Sequence, residues 1–193
     1  MRVLIAGSTG GVGRAVASAC RASGHDVVTL DHADFDAGEW ASRLKSFAPL
    51  DGFAFCAGVC PVKPVALTDD ALFNETMRVN CGLFFSLMRE IVANKLFAPS
   101  LFRVAAVSSV SAMEGWPGGS AYCASKGALS ALCRALEAEL RPKNIRVHAF
   151  EPRHIKTRMF DTCAGRMGVS DSSAIPPEDL AKDVLFFLEG GEK

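Results

Sequence analysis

Short apolar runs rich in valine and phenylalanine alternate along this chain with longer segments in which apolar residues recur at helical spacing. This alternation is typical of a parallel sheet covered by helices on both faces. The apolar runs predict strands near residues 2–6, 26–31, 51–56, 101–107 and 145–150. The periodic segments predict helices near residues 11–23, 37–47, 69–96, 120–140 and 177–189.

Local signals refine the boundaries of these elements. Gly24 is placed to end the first helix as a C′ glycine, and the stretch 36–39 has the spacing of a capping box. Only three residues separate Asp31 from Phe35, whereas a parallel crossover needs about a dozen. A third strand beside the second is therefore expected to be vestigial or absent. The chain stops soon after the last predicted helix, so a final strand is expected to be missing.

Size, charge and cysteine usage narrow the class of protein. A length of 193 residues fits a single domain over 1–193. The 21 basic and 21 acidic residues balance, so neither a nucleic-acid partner nor an anionic membrane is expected. The seven cysteines are scattered, with no CxxC pair and no zinc-ligand spacing, which favours a reducing, cytoplasmic location and no metal. No apolar run approaches the roughly 20 residues of a membrane span, and no signal peptide fits the start.

A glycine-rich loop follows the first predicted strand and begins the first helix. Gly7, Gly11 and Gly13 allow a tight turn, a close backbone approach to a pyrophosphate and close packing of helix on strand. The loop therefore indicates a Rossmann-like, doubly wound sheet that binds a dinucleotide, although such a turn can also have no ligand. Asp31, at the end of the second strand, could accept hydrogen bonds from the ribose of NAD and repel the 2′-phosphate of NADP. Asp34 is close enough to take that role, and a solvated loop aspartate is the alternative.

The only tyrosine of the chain, Tyr122, lies four positions before Lys126 on a predicted helix, so the two side chains share a face. A nearby ammonium group favours the phenolate and would lower the pKa of the tyrosine, which would suit it to proton transfer. Ser109, at the end of a buried strand, could hold a substrate oxygen within reach of the phenol. Amphipathic packing alone could also explain the Tyr-Lys pair.

With these residues in order, nearly the whole chain resembles the short-chain dehydrogenase/reductase family. The glycines at 7, 11 and 13 match the cofactor loop of that family, and Ser109, Tyr122 and Lys126 match its catalytic serine and Tyr-x-x-x-Lys motif. Asn80 matches its helix asparagine, and the segment 146–157 resembles its stretch beside the nicotinamide.

The resemblance implies hydride transfer between a nicotinamide cofactor, NAD rather than NADP, and a small alcohol or ketone. Tyr122 would be the general acid/base, Ser109 would orient the substrate oxygen, Lys126 would bind the nicotinamide ribose, and Asn80 would hold a relay water. The remaining cofactor contacts implied by the resemblance are Gly7, Thr9, Gly11, Val12, Gly13, Ala57, Gly58, Ile155 and Thr157.

The chain also departs from the family pattern. Phe55 and Cys56 replace two asparagines that brace the sheet, and Arg153 replaces a glycine beside the nicotinamide. Arg153 could contact a phosphate or an anionic substrate, although an arginine in solvent is slightly favoured. Trp116 could form a wall of the substrate pocket or pack in the core, and the stretch 160–175 is expected to cover that pocket.

Two functions are compatible with these features. The intact Ser109, Tyr122, Lys126 and Asn80 favour an NAD(P)-dependent oxidoreductase. The departures motivate the alternative, a dinucleotide-binding sensor or scaffold without turnover. In the family, the two long helices pair with their symmetry mates. Their surplus of apolar residues here predicts a homodimer, with the second family interface lost along with the final strand.

Overall fold

A computed structural model describes residues 1–167 and 173–191. It confirms the predicted fold class, because the described residues form a five-stranded, fully parallel sheet with helices on both faces. Residues 168–172, within the stretch expected to cover the pocket, lie outside the described residues.

All predicted strands are present, and each end lies within one residue of its expected position. The strands are β1 (Arg2–Ala6), β2 (Asp26–Leu30), β3 (Gly52–Phe55), β4 (Phe102–Val107) and β5 (Ile145–Phe150). Their order in the sheet is β2-β1-β3-β4-β5. After β1 the chain forms β2 on one side of it and then crosses to form β3 on its other side. This reversal opens a crevice above the carboxyl ends of β1 and β3, where such sheets bind ligands.

The helices follow the predicted segments with one division and two additions. They are α1 (Gly11–Ala22), α2 (His32–Asp36), α3 (Trp40–Ser46), α4 (Asp70–Met77), α5 (Leu83–Ala93), α6 (Ser120–Leu140), α7 (Arg158–Met167) and α8 (Pro177–Leu188). The long helix predicted near 69–96 is divided by a π-helical turn at Arg78–Gly82. The two additions are α2 and α7. The sequence analysis did not predict α7, whose segment contains a glycine and mixes small and polar residues with few large apolar ones.

The predicted capping box at 36–39 is wrong. Glu39 precedes α3 but makes no capping bond through its side chain. The reciprocal carboxylate bond lies earlier, where Asp34 accepts a 2.8 Å hydrogen bond from the backbone N–H of Asp31 and so begins α2. Gly38, with φ of 72°, makes the turn between α2 and α3. The helix predicted near 37–47 corresponds to α3, which begins later because of this turn, and α2 was not predicted.

The C′ role of Gly24 is present in the structure. With φ of 75°, Gly24 donates from its backbone to the carbonyl of Arg21, and His25 donates to the carbonyl of Cys20. These two bonds are those of a Schellman motif. They end α1 sharply and turn the chain into β2.

The described sheet ends at β2 on one side and at β5 on the other. Directly after β2 the chain forms the short helix α2, and within the described residues no strand pairs with the outer side of β2. After α8, the described residues continue to Gly191 without a further strand. No helix in the described ranges is long and apolar enough to cross a membrane.

Two apolar cores cover the two faces of the sheet. Side chains alternate along β1, so that Leu4 faces the core formed with α5 and α6, and Ile5 faces the core formed with α1 and α8. In the first core, Phe53, Phe55 and Phe84 pack with ring centroids between 5.3 and 6.4 Å apart. The cores hold the sheet rigid, so the loops at its carboxyl edge start from fixed positions.

Candidate active site

The residues singled out from the sequence gather at the carboxyl edge of the sheet, around the crevice between β1 and β3. The glycine loop follows β1, Ala57 and Gly58 follow β3, Ser109 follows β4, and the stretch 152–157 follows β5. Because the strands are parallel, loops far apart in sequence meet along one edge.

The glycine loop has the backbone geometry of a phosphate cradle. Gly7 has φ of 85°, and a Cβ at this residue would lie 2.5 Å from the backbone nitrogen of Ala57. Gly10, which precedes α1, makes no side-chain cap, so the first N–H groups of that helix face the crevice without a capping side chain. A Cβ at Gly11 would lie 2.6 Å from Cγ2 of Thr157, so the loop and the stretch after β5 are in contact.

Asp31 lies at the end of β2, and its carboxylate faces the glycine loop. One oxygen accepts a 2.6 Å bond from the Ser8 hydroxyl, and the other accepts bonds from the backbone N–H and the hydroxyl of Thr9 at 3.1 and 3.3 Å. Asp34 instead caps α2 and pairs with Arg43, so its carboxylate is used within the fold. Of the two acids, Asp31 therefore has the position required to contact a ribose.

Tyr122 and Ser109 are brought together by the fold, near enough for the Ser109 side chain to lower the pKa of the phenol. The indole ring of Trp116 lies beside Tyr122 with centroids 6.3 Å apart, and its N–H donates to Ser111 at 3.2 Å. Trp116 is therefore half-buried beside Tyr122, and its role as a wall of the substrate pocket stays a prediction.

The expectation that Lys126 lowers the pKa of Tyr122 is not met by the protein groups alone. Desolvation on burial raises the pKa of Tyr122 above its usual value of 10.0, and the neighbouring thiol of Cys60 adds to the increase. The side chain of Ser109 lowers the pKa but does not offset burial. The phenol is consequently held in its protonated form at neutral pH.

Lys126 is itself buried, which explains its weak effect on the phenol. Its ammonium nitrogen lies 5.8 Å from the centroid of the Tyr122 ring and donates a 2.8 Å hydrogen bond to the carbonyl of Val107. Desolvation lowers the pKa of Lys126 to about 8. Within the described residues it has no carboxylate partner, so its charge is only marginally stable at neutral pH.

Asn80 lies in the π-helical turn, and the protein uses both ends of its amide. The oxygen accepts from the backbone N–H of Val59 at 2.8 Å, and the nitrogen donates to the carbonyl of Val59 at 2.9 Å and to the Ser125 hydroxyl at 2.8 Å. Ser125 in turn donates to the carbonyl of Tyr122 at 2.7 Å. Asn80 thereby joins the loop after β3 to the helix that carries Tyr122 and Lys126.

The sequence analysis did not identify Ser125, nor a group of thiols near Tyr122. The Cys163 thiol donates a 3.6 Å hydrogen bond to the backbone carbonyl of Cys60, and burial raises the pKa of the Cys60 thiol. Both thiols, together with Cys123, are near enough to influence the ionisation of Tyr122. Cys60 and Cys163 lie about a hundred positions apart, so no local spacing could have indicated this pair.

The stretch after β5 forms one side of the site. Ile155 pairs with Ile175 in a short parallel bridge, which places Thr157 against the glycine loop. Arg153 is largely exposed and pairs with Glu114 at 3.1 Å, so it extends away from the cofactor crevice toward the loop after β4. His154 lies 3.2 Å from the Ser173 hydroxyl and has no contact with Tyr122 in the described residues.

The residues present fit a nicotinamide dinucleotide better than a metal ion. The cradle of Gly7 and Gly11 leaves no room for side chains but exposes the backbone, as a pyrophosphate requires. Asp31 lies at one end of the crevice and the buried Lys126 at the other. Across the ranges 1–167 and 173–191, no cluster of three His, Cys, Asp or Glu side chains could hold a metal ion.

Comparisons with known proteins indicate the family of the chain. The family model described as short chain dehydrogenase matches residues 43–166. The chain is 30% identical to the L-xylulose reductase of Homo sapiens, covering 82% of this chain and 73% of that protein. It is 28% identical to a 3-oxoacyl-(acyl-carrier-protein) reductase of Rickettsia felis, covering 95% and 87%. A solved 3-ketoacyl-(acyl-carrier-protein) reductase from Brucella melitensis, complexed with NADH, shares the fold with a TM-score of 0.79 at 22% identity, covering 97% and 90%.

The chain belongs to the short-chain dehydrogenase family, as the motif resemblance had indicated. Its general class is therefore that of oxidoreductases that depend on NAD or NADP.

Proposed function

We propose that the chain is a reductase that transfers a hydride from a nicotinamide cofactor to a carbonyl compound, with Tyr122 as the proton donor. The observation that carries this proposal is the position of the protonated phenol of Tyr122, which lies close to Ser109 and has the ammonium nitrogen of Lys126 5.8 Å from its ring centroid. A phenol kept neutral can donate to a developing alkoxide, and a positioned acid contributes about 10²–10⁴-fold to such a reaction.

The cofactor would lie across the crevice from Asp31 to Lys126. Gly7, Thr9, Gly11, Val12 and Gly13 would line its phosphates, Ala57 and Gly58 its adenosine side, and Ile155 and Thr157 its carboxamide. When bound, it supplies the hydride. Asp31 favours NAD, because its carboxylate already accepts from Ser8 and Thr9 and would repel a 2′-phosphate nearby.

The chain's own residues account for the remaining chemistry. Ser109 donates to the substrate oxygen and orients it toward Tyr122, whose proton passes to that oxygen as the carbonyl is reduced. Lys126 binds the nicotinamide ribose, and Asn80 keeps the loop after β3 in register with α6 so that Gly58 stays open beside Lys126. Because burial favours the neutral phenol, Tyr122 carries its proton at neutral pH, as a proton donor requires.

The departures that suggested a sensor or scaffold without turnover leave this machinery intact. Phe55 is fully buried in the core beside Phe84, and Arg153 pairs with Glu114 at the surface. A protein that only bound a dinucleotide would not need a buried Tyr122–Ser109 pair. These contacts support the enzyme over the alternative.

Further parts of the proposal concern the state of the protein. We propose one dinucleotide-binding domain over 1–193 that forms a homodimer through α5 and α6, where Phe85 is 48% exposed. A cytoplasmic location is supported by the seven cysteines, which are all free thiols.

One tyrosine variant and two serine variants test the assignment of the proton donor. Tyr122→Phe should bind NADH as the wild type does and lose at least about 10²-fold in kcat across a panel of ketones. Ser109→Ala should also lose turnover, whereas Ser18→Ala, at an exposed serine on α1, should leave turnover near the wild-type level. Equal kcat in wild type and Tyr122→Phe would remove the phenol from the mechanism.

A further inference from the structure

An apolar groove of about 760 Å³ lies between the loop after β3 and the loop before α6. We call it the loop groove, and it is lined by Val62, Lys63, Pro64, Leu67, Pro117 and Gly118. Lys63 is the only charged residue of this lining. The volume of this concave apolar surface is in the range of small-molecule sites. Loops that only face water do not require an apolar concavity of this size.

The two walls of the loop groove are joined at its base. The backbone N–H of Lys63 donates to the carbonyl of Gly118 at 3.0 Å. Gly118 has φ of 80°, and a Cβ there would lie 3.1 Å from Cγ1 of Val62. A glycine at this position lets the loops approach closely, so the groove is a formed feature of the fold.

Large apolar side chains remain open to solvent around the loop groove. Val65 is 77% exposed, and Leu67 is 67% exposed. Exposure of these apolar side chains to water is unfavourable, and an apolar ligand that covered them would remove them from water. The groove therefore favours a hydrocarbon chain over a polyhydroxylated one.

Both walls of the loop groove continue in sequence into residues near Tyr122, the proposed acid. Pro117 and Gly118 follow Trp116, whose ring lies 6.3 Å from that of Tyr122. The opposite wall continues from Val59, which Asn80 holds through two hydrogen bonds. A substrate with its carbonyl at Tyr122 can therefore extend along the loop groove without leaving the surface.

We propose that the loop groove binds the hydrocarbon chain of the substrate, and that the substrate class is carbonyl compounds with an unbranched apolar chain. This inference rests on the proposed reductase function. Each methylene transferred fully from water to an apolar surface strengthens binding about fourfold. Because the groove is open on one side, we expect a gain of about twofold to fourfold in kcat/KM per methylene.

Steady-state reduction of 2-butanone, 2-hexanone and 2-octanone with NADH tests the proposal. Catalytic efficiency should rise along this series and should exceed that for a ketopentose, which is comparable in size to 2-hexanone but carries hydroxyls. Efficiency that is independent of chain length, or greater for the ketopentose, would overturn the substrate class and leave the reductase function standing. No turnover of any carbonyl compound would instead contradict the reductase function itself.

A pair of leucine variants locates the effect. Leu67→Ser should flatten the dependence of kcat/KM on chain length, whereas Leu101→Ser should preserve it. Leu101→Ser is the control, because Leu101 is also exposed, at 43%, but precedes β4 at the opposite end of the strand from Ser109. If Leu67→Ser leaves the chain-length dependence unchanged, the proposal is contradicted. If Leu67→Ser instead changes the oligomeric mass, the groove is a subunit contact and the proposal is also contradicted.

Discussion

Ser125 accepts a 2.8 Å hydrogen bond from the amide nitrogen of Asn80, and through it the π-helical turn is fixed to α6. Both side chains are fully buried. Ser125 also donates to the carbonyl of Tyr122, so one hydroxyl connects the helix asparagine to the residue that we assign as the proton donor.

We predict that Ser125→Ala lowers the free energy of unfolding by about 1–3 kcal/mol, because it leaves a buried N–H of Asn80 without an acceptor. Chemical denaturation with urea measures this change. Ser18→Ala is the matched control, since Ser18 is an exposed serine on α1, and it should change stability by less than about 0.5 kcal/mol. Equal stability of both variants would show that the Asn80–Ser125 bond contributes little.

Tyr122 should stay protonated well above neutral pH. Burial raises its pKa above 10.0, and because it is the only tyrosine of the chain its ionisation can be followed by ultraviolet absorbance without interference. We expect no tyrosinate below pH 10 in the folded protein and a normal tyrosine titration after denaturation. Tyrosinate formed near neutral pH in the folded protein would show that Lys126 acts on the phenol more strongly than its buried position indicates.

The stability of the protein should depend on the ionisation of Lys126. Its pKa is about 8 when folded, against 10.5 in the unfolded chain. Between pH 8 and 10.5, Lys126 is protonated in the unfolded state but neutral in the folded state, so the free energy of unfolding rises with pH over this window. The contribution of Lys126 to stability is therefore lowest below pH 8. Relative to Lys126→Met, the wild type should gain up to about 3 kcal/mol between pH 7 and 10.5. Identical pH profiles of unfolding for the two proteins would contradict the depressed pKa.

Cofactor preference should depend on Asp31 rather than on Asp34. We expect the wild type to bind NADH more tightly than NADPH by about tenfold or more, since a carboxylate at the end of β2 repels a 2′-phosphate. Asp31→Ala should reduce this ratio, whereas Asp34→Asn should preserve it, because Asp34 is paired with Arg43. Fluorescence titration measures both affinities, and tighter binding of NADPH by the wild type would reverse the assignment.

A charged substitution on α5 should break the homodimer, whereas one on α8 should not. Phe85 on α5 is 48% exposed and Phe186 on α8 is 53% exposed, so the two rings are similar in exposure but lie on opposite faces of the sheet. Light scattering of the wild type should give about twice the chain mass of 20.5 kDa. Phe85→Glu should give the monomer mass, whereas Phe186→Glu should not change the dimer. A wild-type mass of 20.5 kDa would exclude the dimer, and a tetramer would show that a further interface exists.

The sequence alone determined the features that depend on neighbouring residues. The strands could be placed to within one residue because each is a short apolar run bounded by turn residues, and the glycine loop could be recognised because its spacing is local. The pairing of Tyr122 with Lys126 follows from helical geometry, in which residues four apart share a face.

Only the tertiary structure decided what depends on distant segments. The Asn80–Ser125 bond, the Cys60–Cys163 pair and the contact of Gly11 with Thr157 join residues that no local pattern relates. The pKa of Tyr122 is the clearest case. The sequence shows a lysine nearby and so predicts a decrease, but the increase arises from desolvation, which is set by everything that packs around the phenol. Because burial is a sum over the whole fold, a pattern of neighbouring residues cannot determine its sign.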